Sequence, residues 1–204
     1  MSFILVWEKS GEQVKVFDNI ISKKDQVDLK NLLLKDDYFP WYYCSDISKK
    51  DNKYQSRPGF KHNFMIDGKV NSEHYIQISK IFEKVNKKIK KELIPHKVRS
   101  FLQLPLDKKF TGKGVDTPHL DLEIPHTVFL YYVNDSDGNT IIYNYKSKDV
   151  NDVPYFEDMK IEKNIIPKQG RVVVFDGFYW HTAGQPTKGP RCIINFDMVW
   201  DLTI

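Results

Sequence analysis

The chain has 204 residues, with 31 lysines and arginines against 27 aspartates and glutamates, so its formal net charge is +4. Apolar residues make up 41% and charged residues 28%, which excludes a disordered chain, a collagen-like chain and a membrane helix bundle. The weak positive charge does not by itself indicate a nucleic-acid partner. Cys44 and Cys192 form no CxxC pair, and no apolar run is long enough for a signal peptide or a membrane span. We therefore expect free thiols, a reducing compartment and a cytoplasmic protein without membrane contact.

The first part of the chain predicts short strands and then a helix. Strands are expected from Phe3 to Trp7 and from Val14 to Ile21, because both runs are rich in β-formers. Ser22 is followed three positions later by Asp25, which is typical of a helix N-cap. The helix that follows is expected to end near Leu34.

A second helix is predicted by a strong period of three and four residues. Asn71 or Ser72 is expected to cap this helix and Pro95 to end it. Its apolar stripe consists of Tyr75, Ile78, Ile81, Phe82, Val85, Ile89 and Leu93. Its other face carries Lys80, Lys84, Lys87, Lys88, Lys90 and Lys91, which indicates either a phosphate-binding stripe or, more commonly, a solvated face. The aromatic segment 38–68 before it allows no strand to be placed.

The second half of the chain predicts a β-rich body. Strands separated by turn clusters are expected at 98–104, 127–133, 140–145, 172–175 and 192–199. We predict a single α+β domain over residues 1–204, with helical support in 1–95 and the β core in 96–204. The insertion 145–167 is either a substrate lid or an extra hairpin.

Three residues in this β-rich half indicate metal chemistry. His119 and Asp121 are two positions apart, so in an extended segment their side chains point to the same side. His181 also lies at a strand end, after the predicted strand 172–175 and a turn. Two imidazoles and a carboxylate can hold a divalent metal and leave positions open for a cosubstrate and dioxygen, as in non-heme Fe(II) oxygenases. The alternative is a hydrogen-bonded His-Asp pair and an unrelated core histidine.

The last strand adds a candidate anion-binding group. Arg191 lies ten positions after His181. Alternation places Arg191, Ile193, Asn195 and Asp197 on one face, and Cys192, Ile194, Phe196 and Met198 on the other. The second face is typical of packing under helices, whereas the first fits a pocket lining. A buried arginine needs an anion, and its planar fork suits a carboxylate.

Six motifs occur in a familiar order and spacing: Pro118-His119-Leu120-Asp121, Phe129 to Asn134, Asp137 to Thr140, Gly170 to Asp176, Trp180-His181-Thr182 and Gly189-Pro190-Arg191. As a set they resemble the Fe(II)- and 2-oxoglutarate-dependent dioxygenases, in particular the prolyl-4-hydroxylase-like group. The resemblance covers residues 99–200. One departure is Gly138-Asn139, where the family often has two glycines; asparagine tolerates unusual backbone angles.

This resemblance implies a double-stranded β-helix, or jelly roll, backed by the N-terminal helices. It implies that His119, Asp121 and His181 bind Fe(II), and that Arg191 binds the distal carboxylate of 2-oxoglutarate. Tyr132 is implied to share that carboxylate; its neighbour Tyr131 would point the other way. The implied reaction hydroxylates an unactivated C–H bond of a protein side chain or small molecule, consumes O2, and converts 2-oxoglutarate to succinate and CO2.

Two other functions stay open. Nucleic-acid oxidative demethylases resemble this family but usually carry another arginine six positions after the cosubstrate arginine, where this chain has Asp197. Together with the small net charge, this leads us to expect no nucleic-acid partner. A non-catalytic β-barrel binding module is the other alternative, and the complete triad with Arg191 counts against it.

Several further residues are weaker candidates. Arg99 and Gln103 share one face of the strand before the His119-x-Asp121 (HxD) motif, and they are candidate contacts to substrate or cosubstrate, as is Asn195. Glu123 and His126 follow Asp121 closely, but a metal role for either would compete with the better triad. The sequence does not specify the substrate or the oligomeric state.

Overall fold

The structure is a computed structural model that describes residues 14–48, 57–107, 114–151 and 153–201. Two helices, α1 (Lys23–Leu34) and α2 (Tyr75–Ile89), are found there, together with a short 3-10 helix at Phe156–Asp158. The strands are β1 (Val14–Phe17), β2 (Tyr42–Cys44), β3 (Gly59–Ile66), β4 (Lys69–Val70), β5 (Leu93–Gln103), β6 (Thr127–Tyr132), β7 (Thr140–Lys146), β8 (Ile161–Ile165), β9 (Val172–Asp176), β10 (Tyr179–Ala183) and β11 (Arg191–Trp200).

The strands form two facing antiparallel sheets. The larger sheet has the order β1-β9-β6-β11-β5-β3-β2, with β4 paired to β3, and the smaller sheet has the order β10-β7-β8. Leu130, Val173 and Ile193 of the larger sheet pack against Ile142 and Tyr179 of the smaller one. This arrangement confirms the predicted α+β class with a double-stranded β-helix core.

The helices cover the outer face of the larger sheet. Ile78, Ile81 and Val85 of α2 are fully buried there, in one cluster with Ile194 and Phe196 of β11. The apolar stripe predicted for α2 is therefore the surface that packs on the sheet, except that Leu93 belongs to β5. The two faces of β11 also follow the predicted alternation. Ile193 packs towards the smaller sheet, whereas the cluster under the helices contains Cys192, Ile194, Phe196 and Met198.

Helix α1 begins at the predicted cap. The Ser22 Oγ accepts a hydrogen bond from the Asp25 amide at 3.1 Å and donates to the Asp25 carboxylate at 2.7 Å. Such a cap satisfies an amide that would otherwise lack a partner at the helix start, and contributes about 1 kcal/mol. The helix ends at Leu34, as predicted.

The predicted ends of α2 are wrong. Its N-cap is His74, which makes no side-chain cap hydrogen bond, rather than Asn71 or Ser72. Lys90 ends the helix in a left-handed conformation with φ of 56°. Pro95 lies inside β5, opposite Met198 beside a register shift, where its missing N–H is tolerated.

Residues 1–95 contribute more than helical support, because β1 to β4 come from this region and belong to the larger sheet. The insertion 145–167 contains β8, which pairs with β7, as an extra hairpin would. The strand predicted from Phe3 to Trp7 lies outside the described residues, and the division at residue 95 stays a prediction. Within the described ranges, every helix is too short or too polar to cross a membrane.

Candidate metal and cosubstrate site

Backbone pairing holds the segment that contains His119 and Asp121, the HxD segment, against the smaller sheet. The His119 amide donates to the His181 carbonyl at 3.0 Å, and the His181 amide donates back at 3.2 Å. A second bridge joins Val115 to Gly184, just beyond β10. The HxD segment therefore extends the smaller sheet beside β10, which brings the two histidines together although 62 positions of chain (181 minus 119) separate them.

The ligand atoms of the three predicted residues converge. Candidate ligand atoms of His119, Asp121 and His181 all lie within 4.8 Å of one another. The Nδ1 of His119 is 3.0 Å from the Thr117 carbonyl, and the Nδ1 of His181 is 3.1 Å from the Tyr179 carbonyl. Because a carbonyl only accepts, each Nδ1 carries the proton and each Nε2 is left as the ligand atom.

The third ligand atom is Oδ2 of Asp121. This oxygen is buried, makes no hydrogen bond, and lies 3.3 Å from Nε2 of His181. A buried carboxylate oxygen needs a donor or a cation, and here a metal could take the place of a proton between this oxygen and the His181 imidazole. The donor set of two imidazole nitrogens and one carboxylate oxygen fits a divalent metal such as Fe(II).

The electrostatics of His119 and Asp121 favour the protonation states that a metal requires, whereas those of His181 favour a proton. Burial and the neighbouring His181 lower the pKa of His119 to about 4, so this imidazole is neutral near pH 7. Burial raises the pKa of Asp121, but the Arg99 guanidinium and His181 outweigh it and hold that pKa well below its usual range. Burial opposes the charging of His181, but Asp121 raises its pKa, so a metal would displace a proton there.

A second group of potential ligands shares Asp121 but is already filled. Ligand atoms of Asp121, His126 and Asp197 lie within 4.8 Å of one another. The Nη2 of Arg99 donates to Oδ1 of Asp121 at 2.6 Å and to Oδ2 of Asp197 at 2.9 Å. The guanidinium is therefore the cation of this group. Glu123 is exposed and lies on the wall of the adjoining cleft.

Arg191 is buried between the sheets and makes three hydrogen bonds. It donates from Nε to the Gly138 carbonyl at 2.8 Å, from Nη1 to the Gln103 Oε1 at 3.0 Å, and from Nη2 to the Thr140 Oγ1 at 2.8 Å. A guanidinium has five N–H donors, so one hydrogen on each terminal nitrogen is left to meet a carboxylate. Gly138 is needed here, because a Cβ would lie 2.6 Å from the Gly184 carbonyl oxygen and 2.9 Å from the Arg191 Cδ.

Tyr132 lies beside Arg191, and Tyr131 does not. The Tyr132 hydroxyl donates to the Thr140 Oγ1 at 2.7 Å, and the Arg191 guanidinium carbon lies 6.0 Å from the centre of the Tyr132 ring. Tyr131 packs in the cluster under the helices, on the opposite face of β6. The expected division between these two neighbours is the one that the structure has.

Two residues of this network were missed by sequence reasoning. The Oδ2 of Asp116 accepts a hydrogen bond from Nε2 of Gln103 at 2.6 Å, and its Oδ1 lies 3.3 Å from Nε of the buried Arg57. Gln103 therefore bridges Asp116 and Arg191. Asp116 lies three positions before His119, but no spacing rule identifies it, and Arg57 lies in a segment without a readable period.

A narrow cavity of about 60 Å³ connects the two parts of the site. Its lining includes His119, Asp121 and His181 and also Thr140 and Arg191. A wider cleft of about 820 Å³ opens beside the triad, and its walls include Lys61, Asn63, Lys97, Arg99 and Glu123. The arrangement can hold a metal, a carboxylate ligand extending towards Arg191, and a second molecule in the cleft.

The lysine-rich face of α2 lies away from this site. Lys84, Lys87, Lys88 and Lys90 are exposed, on a helix that packs against the outer face of the larger sheet. The triad lies on the other side of that sheet, between the two sheets. This favours a solvated face over a phosphate-binding surface that serves the site.

No protein-family model matches the sequence, and no curated protein matches it. Solved structures match its fold. The viral collagen prolyl hydroxylase of Paramecium Bursaria Chlorella virus-1, in complex with 2-oxoglutarate, is 16% identical, with a TM-score of 0.58 over 92% of this chain and 96% of that one. A 2OG-Fe(II) oxygenase family oxidoreductase from Burkholderia pseudomallei is 11% identical, with a TM-score of 0.64 over 91% of this chain and 84% of that one.

A third match is a non-heme α-ketoglutarate-dependent epimerase of nogalamycin biosynthesis, which is 10% identical, with a TM-score of 0.62 over 92% of this chain and 78% of that one. The chain therefore has the fold of the 2-oxoglutarate- and iron(II)-dependent oxygenases, as the resemblance implied. Prolyl hydroxylases are among the proteins that share it.

Proposed function

We propose that this protein is an Fe(II)- and 2-oxoglutarate-dependent oxygenase that hydroxylates an unactivated C–H bond of a protein side chain or a small molecule. The observation that carries the proposal is the convergence of His119, Asp121 and His181 on the wall of a cavity that Arg191 also lines. A metal-binding triad alone would fit many reactions. A buried arginine with two free N–H donors, joined to the triad by a cavity, adds a place for a dicarboxylate.

The triad would hold Fe(II) through two Nε2 atoms and Oδ2 of Asp121. The backbone carbonyls of Thr117 and Tyr179 orient the two imidazoles, so the ligand atoms need no reorganisation when the metal arrives. When bound, Fe(II) supplies the oxygen chemistry that turns 2-oxoglutarate and O2 into succinate and CO2 and places a hydroxyl group on the substrate. The protein supplies orientation and excludes water.

The cosubstrate would extend from the metal to Arg191. Its distal carboxylate would accept hydrogen bonds from both terminal nitrogens of the guanidinium, in the bidentate geometry that strengthens such pairs. Thr140 accepts from both Arg191 and Tyr132, so it fixes the two groups relative to each other. Gln103 holds Nη1 from the other side.

The substrate would enter through the wide cleft, whose wall continues from the triad to Phe101 and Lys61. Among the proteins of this fold, one prolyl hydroxylase from Trichoplax adhaerens was solved with a hypoxia inducible factor peptide. Another neighbour is an epimerase, so the fold does not select hydroxylation or a substrate by itself. Both a peptide side chain and a small molecule therefore stay candidate substrates.

The two alternatives find less support. In the demethylase reading, an arginine would stand where Asp197 pairs with Arg99, and the lysine-rich face lies behind the larger sheet. A binding module without chemistry has no need for two oriented imidazoles that converge with a buried carboxylate oxygen.

The direct test is succinate formation by the purified protein with Fe(II), 2-oxoglutarate and O2. Slow turnover of 2-oxoglutarate without substrate is expected from the wild-type chain, and none from His181→Ala. Arg171→Ala is the control, because Arg171 pairs with Asp18 and lines neither the cavity nor the cleft. Equal succinate formation by wild type and His181→Ala would refute the proposal. Screening peptides and metabolites for a mass gain of one oxygen would then identify the substrate.

A further inference from the structure

Arg99 stands between two buried carboxylates at the centre of the larger sheet. It lies on β5, directly opposite Asn63 of β3 and Asn195 of β11. Its side chain is 14% exposed, and its Nη2 contacts both Oδ1 of Asp121 and Oδ2 of Asp197. One nitrogen atom of Arg99 therefore joins the candidate metal ligand Asp121 to Asp197 of β11.

The two oxygens of Asp121 have different surroundings because of this contact. Oδ1 accepts the 2.6 Å hydrogen bond from Arg99. Oδ2 is buried without a hydrogen bond and lies on the side of His181. Carboxylates bind cations through one oxygen or through both. With Oδ1 engaged by a guanidinium, Oδ2 is the oxygen that is free to bind a metal.

We propose that Arg99 is a positioning residue that makes Asp121 a one-oxygen ligand and thereby keeps open a coordination position that the cosubstrate needs. The inference rests on the proposed function. Two imidazoles and one carboxylate oxygen occupy half of an octahedron, and a chelating cosubstrate with dioxygen fills the rest. A second oxygen from Asp121 would occupy a position that one of these ligands requires.

Asp197 has a clear part in this arrangement. It is fully buried, its Oδ2 accepts from Arg99, and its Oδ1 accepts from the side-chain Nδ2 of Asn195 at 3.0 Å. A buried carboxylate is costly unless it is paired. Here Asp197 holds the Arg99 guanidinium in place. The guanidinium carbon also lies over the Phe101 ring, 5.2 Å from its centre.

The variants must separate coordination from folding. Arg99→Met alone would leave Asp197 as an unpaired buried charge, which destabilises the fold strongly. The double variant Arg99→Met/Asp197→Asn removes both charges together, and Asp197→Asn alone is its reference. Arg171→Met is the matched control arginine, since it pairs with Asp18 at the surface. Thermal unfolding checks that each variant is folded.

Two binding measurements are made on each variant without oxygen. Co(II) is titrated into the protein to give a metal affinity, and 2-oxoglutarate is titrated into the Fe(II)-loaded protein and followed by its charge-transfer absorption. Relative to Asp197→Asn, the double variant is expected to keep its Co(II) affinity and to lose at least about tenfold in 2-oxoglutarate affinity. Arg99→Lys, made with Asp197 kept, is expected to bind 2-oxoglutarate more tightly than the double variant, because a single nitrogen of Arg99 makes both contacts in the wild type.

The other outcomes are also decisive. Unchanged 2-oxoglutarate affinity in the double variant would overturn the inference and leave the proposed function intact. An equal fall in the Co(II) and 2-oxoglutarate affinities would show that Arg99 only holds the site together, and would also overturn it. A wild-type protein that binds neither ligand would refute the proposed function, and the inference with it.

Discussion

The two faces of β11 follow opposite rules within one strand. Towards the helices, Cys192, Ile194, Phe196 and Met198 form part of a continuous apolar cluster. Towards the smaller sheet, the same strand buries Arg191, Asn195 and Asp197. Buried charged groups cost stability unless they are paired, whereas buried aliphatic groups gain it. The outer face therefore stabilises the fold, and the inner face carries the groups that the proposed chemistry needs.

Buried polar atoms without hydrogen bonds also gather on the inner side. Asp121 Oδ2, Arg99 Nε and Asn195 Oδ1 are examples around the triad, and Asp116 Oδ1 is one beside Arg191. Such atoms are uncommon in folded proteins, and on this side they occur where charged and polar groups are packed together. We therefore expect substitutions on the inner face of β11 to alter ligand binding, and substitutions on its outer face to alter stability.

The largest expected effect is on activity, at the inner face. His181→Ala removes one of the two imidazole ligands and should reduce succinate formation to background, because the remaining two ligands hold a metal poorly. Circular dichroism should still show the folded β-rich chain. Metal chelation of the wild type should give the same loss, and adding Fe(II) back should reverse it only in the wild type.

On the outer face, Ile194→Ala should lower stability and leave binding unchanged. Ile194 is fully buried in the cluster under the helices, so its truncation should cost about 2–4 kcal/mol of unfolding free energy. Urea unfolding measures this loss. The folded variant should bind 2-oxoglutarate as the wild type does, and a weaker affinity would contradict the separation of the two faces.

Three positions earlier, Arg191→Met should show the reverse pattern. The affinity for 2-oxoglutarate should fall by about tenfold to a hundredfold, because charge-assisted hydrogen bonds to the distal carboxylate are lost. Stability should change less than in Ile194→Ala, since methionine fills much of the space. An unchanged affinity would show that the carboxylate binds elsewhere.

Adjacent tyrosines give a finer test on β6. Tyr132→Phe removes the hydroxyl that donates to Thr140 and should weaken 2-oxoglutarate binding by about fivefold, the value of one hydrogen bond. Tyr131→Phe, on the opposite face, should leave this affinity unchanged, because its hydroxyl makes no hydrogen bond. Equal effects in the two variants would contradict the assignment of Tyr132.

The smallest expected effect is on the lysine-rich face of α2. Replacing Lys84, Lys87 and Lys88 together with glutamine should leave succinate formation and 2-oxoglutarate affinity unchanged, because these side chains are exposed behind the larger sheet. Single-stranded DNA should bind neither the wild type nor this variant at physiological salt. Salt-sensitive DNA binding that the variant loses would revive the phosphate-binding interpretation.

Local signals predicted much of this molecule because their physical causes are local. The Ser22 cap acts over three residues, and the alternation of β11 follows from strand geometry, so the sequence predicts both features. The HxD spacing and Arg191 indicated the site for the same reason. Lys90 ends α2 because its backbone is left-handed. A lysine does not predict such a conformation, so the sequence pointed to Pro95 as the end of the helix.

Features that depend on distant contacts were missed. In β3, Lys61 and Asn63 face the cleft while His62 is buried, bonded to the Pro40 carbonyl and the Ser72 hydroxyl. This reverses the usual polar and apolar pattern, so the strand had no readable period. The pair between Arg99 and Asp197 joins positions 98 apart and is created by strand register alone.

The most direct test of the account is an anaerobic titration of the Fe(II)-loaded wild-type protein with 2-oxoglutarate. We expect a visible charge-transfer absorption that saturates at one cosubstrate for each chain, and we expect Arg191→Met to shift this saturation to higher 2-oxoglutarate concentration. Absence of this absorption in folded protein that has bound Fe(II) would contradict a site built from the triad and Arg191.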